Sequence, residues 1–306
     1  MRVLIVARNK NGKYAPFVTE QVAALEKLGV DCRFFPVKSK GVGGYLKSLP
    51  SLRKTIKEFQ PDIVHAHYGL CGLLANLQQK VPVVTTYHGS DINDPKVRRL
   101  SKIAIFLSAF NIFVSQKCID LVKPRKNYAL IPCGINLDDF PEIDKAEARR
   151  QMGLNPNGRY VLFAGAFDNP VKNASLAKEA IAQFPGIVLL ELKGYSRTQV
   201  AILMQAVDVL LMTSVCEGSP QVIKEALACG CPIVSVDVGD VKERTKGVEG
   251  CFVSTIQEPK IITVLFQKAL FYESKTNGRE KIINDNLNNR QVAQRLIDLY
   301  QKVCVG

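Results

Sequence analysis

The residues best placed for chemistry lie within segment 209–237, where two glutamates flank the start of a predicted helix. The pattern is a strand, a loop holding Glu217, a helix holding Glu225 about a turn and a half inside, and a second strand. We expect Ser219 to be the helix N-cap and Pro220 its first residue. The backbone N–H groups and positive dipole end of such a helix start bind phosphate readily.

Two interpretations of these glutamates follow from the residues alone. The carboxylates of Glu217 and Glu225 could accept hydrogen bonds from the hydroxyl groups of a sugar or a ribose. Alternatively, Glu217 compensates the helix dipole, and Glu225 is an exposed residue paired with a lysine. The pattern therefore indicates a phosphate-binding helix start and leaves the role of the carboxylates open.

The three histidines form a second group of candidates, because each lies in a predicted strand. His88 ends its strand and precedes Gly89, and α/β sheets bind ligands at the carboxyl ends of their strands, so we predict a functional role for it. His65 alternates with apolar neighbours, which favours packing and hydrogen bonding. For His67 both roles remain open. Asp91 either orients the following loop or contacts a ligand.

Parallel strands with helical crossovers would position these residues, and the chain has that pattern. Short runs rich in Val and Ile alternate with longer helical stretches, which predicts parallel sheets covered by helices on both faces. In the first half we predict strands at 2–7, 31–36, 63–67, 83–88, 111–114 and 129–132, and helices at 17–28, 46–59, 70–79, 97–108 and 116–122. In the second half we predict strands at 160–165, 187–192, 209–212 and 233–236, and helices at 174–183, 197–206, 220–229 and 261–272.

Length and composition favour two globular domains. The chain has 306 residues, of which 47% are hydrophobic and 23% charged, which excludes disorder and a small disulfide-stapled scaffold. A polar stretch, 141–159, is the predicted boundary, so we expect one α/β domain over 1–145 and a second over 158–280. Residues 281–306 are predicted to form one long amphipathic helix.

The net charge of +13 belongs mostly to the first domain. Residues 1–150 hold 24 Lys and Arg against 13 Asp and Glu, which gives +11, and the remainder is 17 against 15, which gives +2. The cations concentrate in 96–102, in 117–126 and in a first group made of Lys38, Lys40, Lys47, Arg53, Lys54 and Lys57. Four apolar residues interleave with that first group: Tyr45, Leu46, Leu49 and Leu52. This pattern suits an anionic membrane surface, and a solvated helix face is the alternative.

Targeting and metal signals are weak. The apolar run 3–7 is too short for a signal peptide, and the longest apolar stretch, 103–114, is too short to span a bilayer. The nine cysteines lack a framework or metal-ligand spacing. We therefore expect a cytoplasmic protein with reduced thiols and no metal site, held peripherally at the inner face of the cell membrane.

The segment that begins at Glu217 and contains Glu225-Ala-Leu-Ala-Cys-Gly-Cys-Pro resembles the E-x7-E signature of retaining GT-B glycosyltransferases of the group 1 or family 4 type. Four further segments resemble motifs of that family in its order: Asp-Ile-Val-His-Ala-His at 62–67, Thr-Tyr-His-Gly-Ser-Asp at 86–91, Ile-Pro-Cys-Gly-Ile-Asn at 131–136, and Phe-Ala-Gly at 163–165 with Lys172. The resemblance implies two Rossmann-like domains that face a central cleft, with the C-terminal helix crossing back to the first.

The resemblance also implies the roles of individual residues. Glu217 would bind hydroxyls of the donor sugar, Glu225 those of the nucleotide ribose, and Lys172 would neutralise the departing phosphate. Seven other donor-binding residues are implied: Gly165, Gly194, Tyr195, Ser219, Pro220, Gln221 and Val222. His88 would lie beside the donor sugar and phosphate. Five residues would face the acceptor: Gly12, Lys13, Tyr14, His67 and Asp91.

One departure from the family pattern concerns the phosphate. Family members usually carry Gly-Arg where this chain has Gly165-Ala166, and Asp168 adds an acidic turn nearby. We hypothesise that Lys193 and Arg197 compensate for the missing arginine.

The resemblance implies a metal-independent enzyme that moves a sugar from a UDP- or GDP-linked donor to a hydroxyl acceptor with retention, in polysaccharide or glycolipid assembly. It implies no cofactor besides that nucleotide-sugar. The basic first domain suggests a lipid-linked saccharide as acceptor at an anionic membrane, and a soluble phosphorylated acceptor is the second possibility. A nucleotide-sugar epimerase of the same fold and a catalytically weak nucleotide-sugar-binding protein are the alternatives. We expect no nucleic-acid partner, since the chain shows no recognised binding motif.

Overall fold

The chain divides into two compact α/β units, each built on its own parallel sheet. The computed structural model describes residues 1–39 and 41–305. The first unit comprises Met1–Gly134 and Leu287–Gly306, and the second comprises Ile135–Asn286. The cation Lys40 of the first basic group lies outside the described residues.

The first unit has a six-stranded sheet in the order β2-β1-β3-β4-β5-β6, with all neighbours parallel. Its strands are β1 Arg2–Arg8, β2 Asp31–Val37, β3 Ile63–His67, β4 Val83–Tyr87, β5 Phe110–Phe113 and β6 Tyr128–Leu130. Its helices are α1 Pro16–Lys27, α2 Gly41–Lys47, α3 Leu49–Phe59, α4 Gly69–Asn76, α5 Ser90–Asn93, α6 Pro95–Leu107, α7 Gln116–Val122 and α15 Asn289–Val305.

The second unit has a five-stranded parallel sheet in the order β11-β10-β9-β7-β8. Its strands are β7 Arg159–Phe163, β8 Ile187–Glu191, β9 Val209–Met212, β10 Ile233–Val236 and β11 Cys251–Ser254. Its helices are α8 Lys145–Gln151, α9 Ala174–Ile181, α10 Arg197–Ala206, α11 Gln221–Ala228, α12 Val241–Thr245, α13 Pro259–Leu270 and α14 Gly278–Asn284. Both sheets confirm the predicted fold class of two parallel Rossmann-like domains.

Helix α15 belongs to the core of the first unit. Its apolar stripe, which includes Val292 and Leu296, shares a core cluster with Val22 and Leu25 of α1. The Tyr300 hydroxyl lies 2.6 Å from Nδ1 of His65 on β3. The last helix therefore covers one face of the first sheet.

The structure corrects two predictions of domain organisation, the linker at 141–159 and the single helix at 281–306. Residues within 141–159 form α8, which Asp144 caps at its N-terminus, and Arg149 of this helix bonds both carboxylate oxygens of Asp208 at 3.1 Å. This segment is therefore part of the second unit, which begins at Ile135 in the chain. The predicted single helix over 281–306 is two helices, because Asn286 adopts a left-handed conformation with φ of +55° between α14 and α15.

The first basic group presents little apolar surface. Tyr45 and Leu52 are buried, and Leu49 packs against the same core, so only Leu46 of the four interleaved apolar residues is exposed. The prediction that this segment presents a basic and apolar surface to solvent is therefore wrong, because most of its apolar residues are packed in the core of the first unit. Within residues 1–39 and 41–305, no helix is both long and apolar enough to span a membrane.

Candidate functional site

The loops that follow β7 and β9 are joined by an ion pair between two predicted catalytic residues. Lys172 ends a short 3-10 turn, Pro170–Lys172, and Glu217 lies in the loop after β9. The Lys172 Nζ donates to Glu217 Oε1 at 2.7 Å, and both side chains are partly exposed. The structure therefore brings together the cation and the carboxylate that the resemblance assigns to phosphate and sugar.

Gly165 makes room for the lysine. A Cβ at this position would lie 2.7 Å from Lys172 Cγ and 2.9 Å from Cδ, closer than carbon atoms can approach without displacement. Because those atoms belong to the stem of the lysine, a side chain at Gly165 would push Lys172 out of its place.

Glu225 is also paired, although with an arginine rather than a lysine. Arg197, the first residue of α10, forms an ion pair with the nearly buried Glu225 carboxylate, and its guanidinium lies over the Phe140 ring at 4.8 Å. A capping box between Ser196 and Gln199 fixes the start of α10. The interpretation of Glu225 as an exposed residue paired with lysine is therefore wrong.

The start of α11 differs by one residue from the prediction. Pro220 is the N-cap, and Gln221 and Val222 are the first two residues of α11. The Ser219 hydroxyl instead donates to Asp240 Oδ2 at 2.8 Å. Ser219 is therefore not the N-cap, because its side chain turns to the loop after β10. That loop approaches closely: a Cβ on Gly239, which has a φ of +56°, would collide with the backbone of Gly218.

A buried charged group supports this loop. The Asp240 carboxylate also pairs with Arg244 Nε at 3.3 Å. Burial raises the pKa of Asp240, while the positive charges of Lys224 and Arg244 oppose that shift. Lys224 is fully buried and donates to Gln221 Oε1 at 2.8 Å. Sequence reasoning missed Asp240 and Lys224, although a lysine among the apolar residues of α11 was a possible signal.

The other predicted donor residues follow β8. Gly194, with a φ of +85°, and the half-buried Tyr195 lie just before α10. The two cations proposed to compensate for Ala166 are engaged by carboxylates: Arg197 with Glu225, and Lys193 with Asp168 at 2.8 Å. The Lys193–Asp168 pair is exposed to solvent and therefore weak.

In the first unit, the three histidines form one stack. His67 Nδ1 lies 3.0 Å from His88 Nε2, and the His67 ring stacks on that of His65 at 4.5 Å between centroids. Both nitrogens of His65 are bonded, to Tyr300 and to Thr86, as its predicted structural role requires. Burial lowers the pKa of His67 to about 3 and holds that of His65 well below its ordinary value. These two imidazoles are therefore neutral at physiological pH.

Asp91 orients the loop after β4. Its carboxylate accepts the backbone N–H groups of Gly69 at 2.9 Å and of His88 and Gly89 at 3.0 Å. Burial raises the pKa of Asp91 to about 6, against the lowering effect of these bonds. Of its two predicted roles, the structure shows the loop-orienting one.

The remaining predicted acceptor-side residues lie at the loop after β1. Gly12, with a φ of +82°, forms the tip of a tight turn between Lys10 and Lys13. Lys13 and Tyr14 line a cavity of about 620 Å³ within the first unit, together with Asp91. Sequence reasoning did not select the other lining residues of this cavity, among them Arg8, Tyr45 and Tyr68.

Cysteines and acidic residues offer no metal centre in the part of the chain that the structure describes, since no group of three or more His, Cys, Asp or Glu is arranged to hold an ion. All nine cysteines are free thiols.

Comparison with known proteins places the chain. The family model "Glycosyltransferase Family 4" matches residues 1–139, and the model "Glycosyl transferases group 1" matches residues 159–265. Together with the two parallel-sheet units, these matches define a GT-B glycosyltransferase. The chain belongs to the group 1 and family 4 glycosyltransferases, which confirms the predicted family.

Individual relatives are distant. A glycosyltransferase assigned to teichuronic acid biosynthesis in Bacillus subtilis is 25% identical over 83% of this chain and 72% of its own length. The D-inositol 3-phosphate glycosyltransferase of Mycobacterium marinum is 27% identical over 63% of this chain and 52% of its own length. The chain thus spans only about half the length of the mycobacterial relative.

Solved structures show the same fold at low identity. A sucrose-phosphate synthase from Thermosynechococcus elongatus has a TM-score of 0.86 at 17% identity, with 99% of both chains covered. The Anabaena protein Alr3699/HepE in complex with UDP has a TM-score of 0.78 at 17% identity, with 99% of this chain and 100% of that chain covered.

Proposed function

We propose that the chain transfers a sugar from a nucleotide-sugar to a hydroxyl acceptor with retention of configuration and without a metal ion. The observation that carries this proposal is the Lys172–Glu217 pair beside the start of α11. A lysine, a carboxylate and a helix N-terminus at one sheet edge supply a phosphate cation, a hydroxyl acceptor and backbone donors. The solved neighbour that holds UDP supports a uridine donor.

Donor binding then exchanges the present ion pair for ligand contacts. Lys172 Nζ would turn from Glu217 to the phosphate nearest the sugar, and Glu217 would accept bonds from sugar hydroxyls. Backbone donors at Gln221 and Val222 would hold the diphosphate. Glu225 would bind the ribose with its orientation fixed by Arg197.

Retention is explained by attack on the same face from which the nucleotide leaves. The acceptor oxygen bonds to the anomeric carbon as the bond from that carbon to the phosphate oxygen breaks. The acceptor proton passes to the leaving phosphate, so the nucleoside diphosphate carries it away. Lys172 and the dipole of α11 stabilise the negative charge that develops on the phosphate, in place of a metal ion.

We also propose that Arg197 compensates for the missing arginine at Ala166. The Arg197 guanidinium is held by Glu225 and the Phe140 ring, whereas Lys193 is exposed to solvent and paired with Asp168. Arg197→Ala should weaken donor binding more than Lys193→Ala. Equal donor affinity in both variants and the unmodified chain, measured by calorimetry, would exclude compensation by either cation.

The acceptor is proposed to be a saccharide presented at an anionic membrane, to which the basic first unit binds peripherally. The support comes from α6, which exposes Lys96, Arg99 and Lys102 next to exposed apolar side chains. Phe106 is 87% exposed and Ile103 47% exposed on the same helix. Cations beside exposed apolar residues favour the interface of an anionic bilayer.

A donor panel tests the proposed function. The full chain is incubated with UDP- and GDP-sugars, and nucleotide release is followed with and without a membrane lipid extract. Release from one donor that increases with extract, accompanied by a glycosylated product of unchanged anomeric configuration in NMR spectra, is the expected result. Conversion of the donor to an epimer without transfer would instead establish the epimerase alternative.

Site variants complete the test. Glu217→Ala and Lys172→Ala should each reduce nucleotide release at least about a hundredfold. The first loses the group that positions the donor sugar, and the second loses the cation that stabilises the leaving phosphate. The matched control is Glu273→Gln, an exposed carboxylate of the same unit. Full activity in Glu217→Ala would refute this assignment of the site.

A further inference from the structure

Both ring nitrogens of His88 have a hydrogen-bond partner within the first unit. Its Nε2 lies 3.0 Å from Nδ1 of His67, and its Nδ1 lies 3.7 Å from Sγ of Cys133. The rings of Phe17 and Tyr68 pack against the imidazole, at 4.6 and 4.7 Å between ring centroids. The imidazole is therefore held by two hydrogen bonds and by contacts with two aromatic rings.

The loop after β6 places the buried Cys133 beside this ring. The N–H of Ile131 continues the pairing of β5 with β6 through a bond to Phe113 O at 3.0 Å. Gly134 packs closely against the start of α15, since a Cβ on it would lie 2.5 Å from Asn289 Oδ1. The thiol is thus fixed by the sheet on one side in the chain and by the last helix on the other.

The surroundings of His67 determine which nitrogen of His88 carries the proton. His67 is fully buried and neutral, because burial lowers its pKa to about 3, so one of its two ring nitrogens holds a proton. Its buried Nε2 has no hydrogen-bond partner within the part of the chain that the structure describes. A buried N–H without an acceptor is rare, because its desolvation is not compensated. The proton of His67 therefore lies on Nδ1 and is donated to His88 Nε2.

This donation selects one tautomer of the neutral His88 ring. Because Nε2 of His88 accepts from His67, the proton of His88 lies on Nδ1 and faces Cys133 Sγ. Sulfur is a weak acceptor of hydrogen bonds. The bond to sulfur therefore orients this N–H and is readily exchanged for a bond to an oxygen atom.

We propose that Cys133 is a positioning residue for His88: its sulfur accepts the Nδ1–H of the imidazole and keeps the proton on that nitrogen. On substrate binding, this N–H exchanges the sulfur for a phosphate or hydroxyl oxygen, which is a stronger acceptor. The exchange with substrate rests on the proposed function, whereas the bond to sulfur in the free chain does not.

NMR spectroscopy of the full chain with 15N-labelled histidine tests this bond. The chain has three histidines, and the signals lost in His65→Gln and His67→Gln assign their ring nitrogens. At pH 8 we expect the proton on Nδ1 in both His67 and His88. A proton on Nε2 of His88 would overturn the proposal.

Variants at Cys133 identify the acceptor. Cys133→Ala removes the sulfur and should shift the Nδ1 signal of His88, whereas Cys133→Ser supplies a hydroxyl oxygen and should keep the proton on Nδ1. Cys118→Ala removes another buried thiol of the first unit and is the matched control, in which the His88 signals should stay unchanged. Unchanged His88 signals in Cys133→Ala would show that sulfur is not the partner and would overturn the proposal.

Nucleotide release separates the positioning role from the proposed function. In Cys133→Ala, kcat should fall about threefold to tenfold with an unchanged KM for the nucleotide-sugar, as expected for the loss of one uncharged hydrogen bond, and Cys133→Ser should regain most of this activity. An unchanged kcat in Cys133→Ala would overturn the positioning role. If the unmodified chain released no nucleotide from any donor, the proposed transferase would be contradicted, while the NMR signals would still decide whether Cys133 holds His88.

Discussion

At the scale of single residues, the position of the Lys172 side chain depends on the absence of a side chain at Gly165. Gly165→Ala should displace the Lys172 stem and lower nucleotide release about tenfold without unfolding the chain. The measurement is donor hydrolysis alongside circular dichroism. Gly43→Ala is the control, since a Cβ there meets nothing within 4 Å. Unchanged hydrolysis in Gly165→Ala would show that Lys172 tolerates displacement.

The buried His67 predicts a pH dependence of stability. Its pKa is about 3 in the fold and about 6.5 when unfolded, so the unfolded chain binds more protons between these values. The free energy of unfolding should therefore decrease as pH falls below about 6.5, by up to about 1.4 kcal/mol per pH unit from this residue.

His67→Gln should flatten that slope, as measured by urea unfolding at pH 7.5, 6.5 and 5.5. Asp91, whose pKa is raised to about 6, contributes a slope of the opposite sign between about pH 4 and 6. Asp91 is present in both the unmodified chain and His67→Gln, so its contribution cancels when their slopes are compared. Identical slopes would mean that protonation of His67 does not lower the free energy of unfolding.

The sequence pointed to candidate residues whose neighbours in the chain form a motif, and missed residues that depend on distant partners. A motif led to Glu217 and Lys172, which the structure pairs, and strand position led to a packed and hydrogen-bonded His65. Asp240 could not be predicted, because its contact with Ser219 depends on the adjacency of β9 and β10. The prediction of Ser219 as the N-cap of α11 was wrong for the same reason, because its hydroxyl bonds Asp240.

At the scale of elements, the loop before α11 depends on the buried Asp240. Asp240→Ala leaves the Ser219 hydroxyl without its acceptor and the buried Lys224 without a nearby negative charge, whereas Arg244 keeps its pairing with Asp285. The loss should cost about 1–3 kcal/mol. Hydrogen exchange of α11 should accelerate accordingly. Glu243→Gln, on the exposed face of α12, should leave exchange unchanged. Normal protection of α11 in Asp240→Ala would contradict this coupling.

Strand positions were predictable because buried parallel strands appear as apolar runs, and β3, β9 and β10 were placed to the residue. The positions at which helices break were less predictable. The left-handed Asn286 divides a segment whose apolar spacing continues through it, and periodicity alone does not reveal a residue that reverses φ. The short strand β11 lacked a long apolar run and was missed.

At the scale of the whole molecule, the basic charge of the first unit predicts salt-sensitive membrane binding. Ile103→Ser with Phe106→Ser should reduce sedimentation with vesicles containing anionic phosphatidylglycerol, because it removes the exposed apolar residues of α6. Phe271→Ser, equally apolar and 77% exposed in the second unit, is the control. Equal binding to neutral phosphatidylcholine vesicles would argue against an electrostatic interaction.

The packing of α15 on α1 also sets an order of events during synthesis. The ribosome completes the six strands of the first unit long before it makes the helix that covers Val22 and Leu25. At about 5–20 residues per second, the intervening second unit takes about 8–30 s to emerge. Throughout that interval, the apolar residues of α1 that pack against α15 in the finished fold lack that cover. A chaperone, or the same helix supplied as a separate peptide, is therefore expected to compete with α15 for those residues.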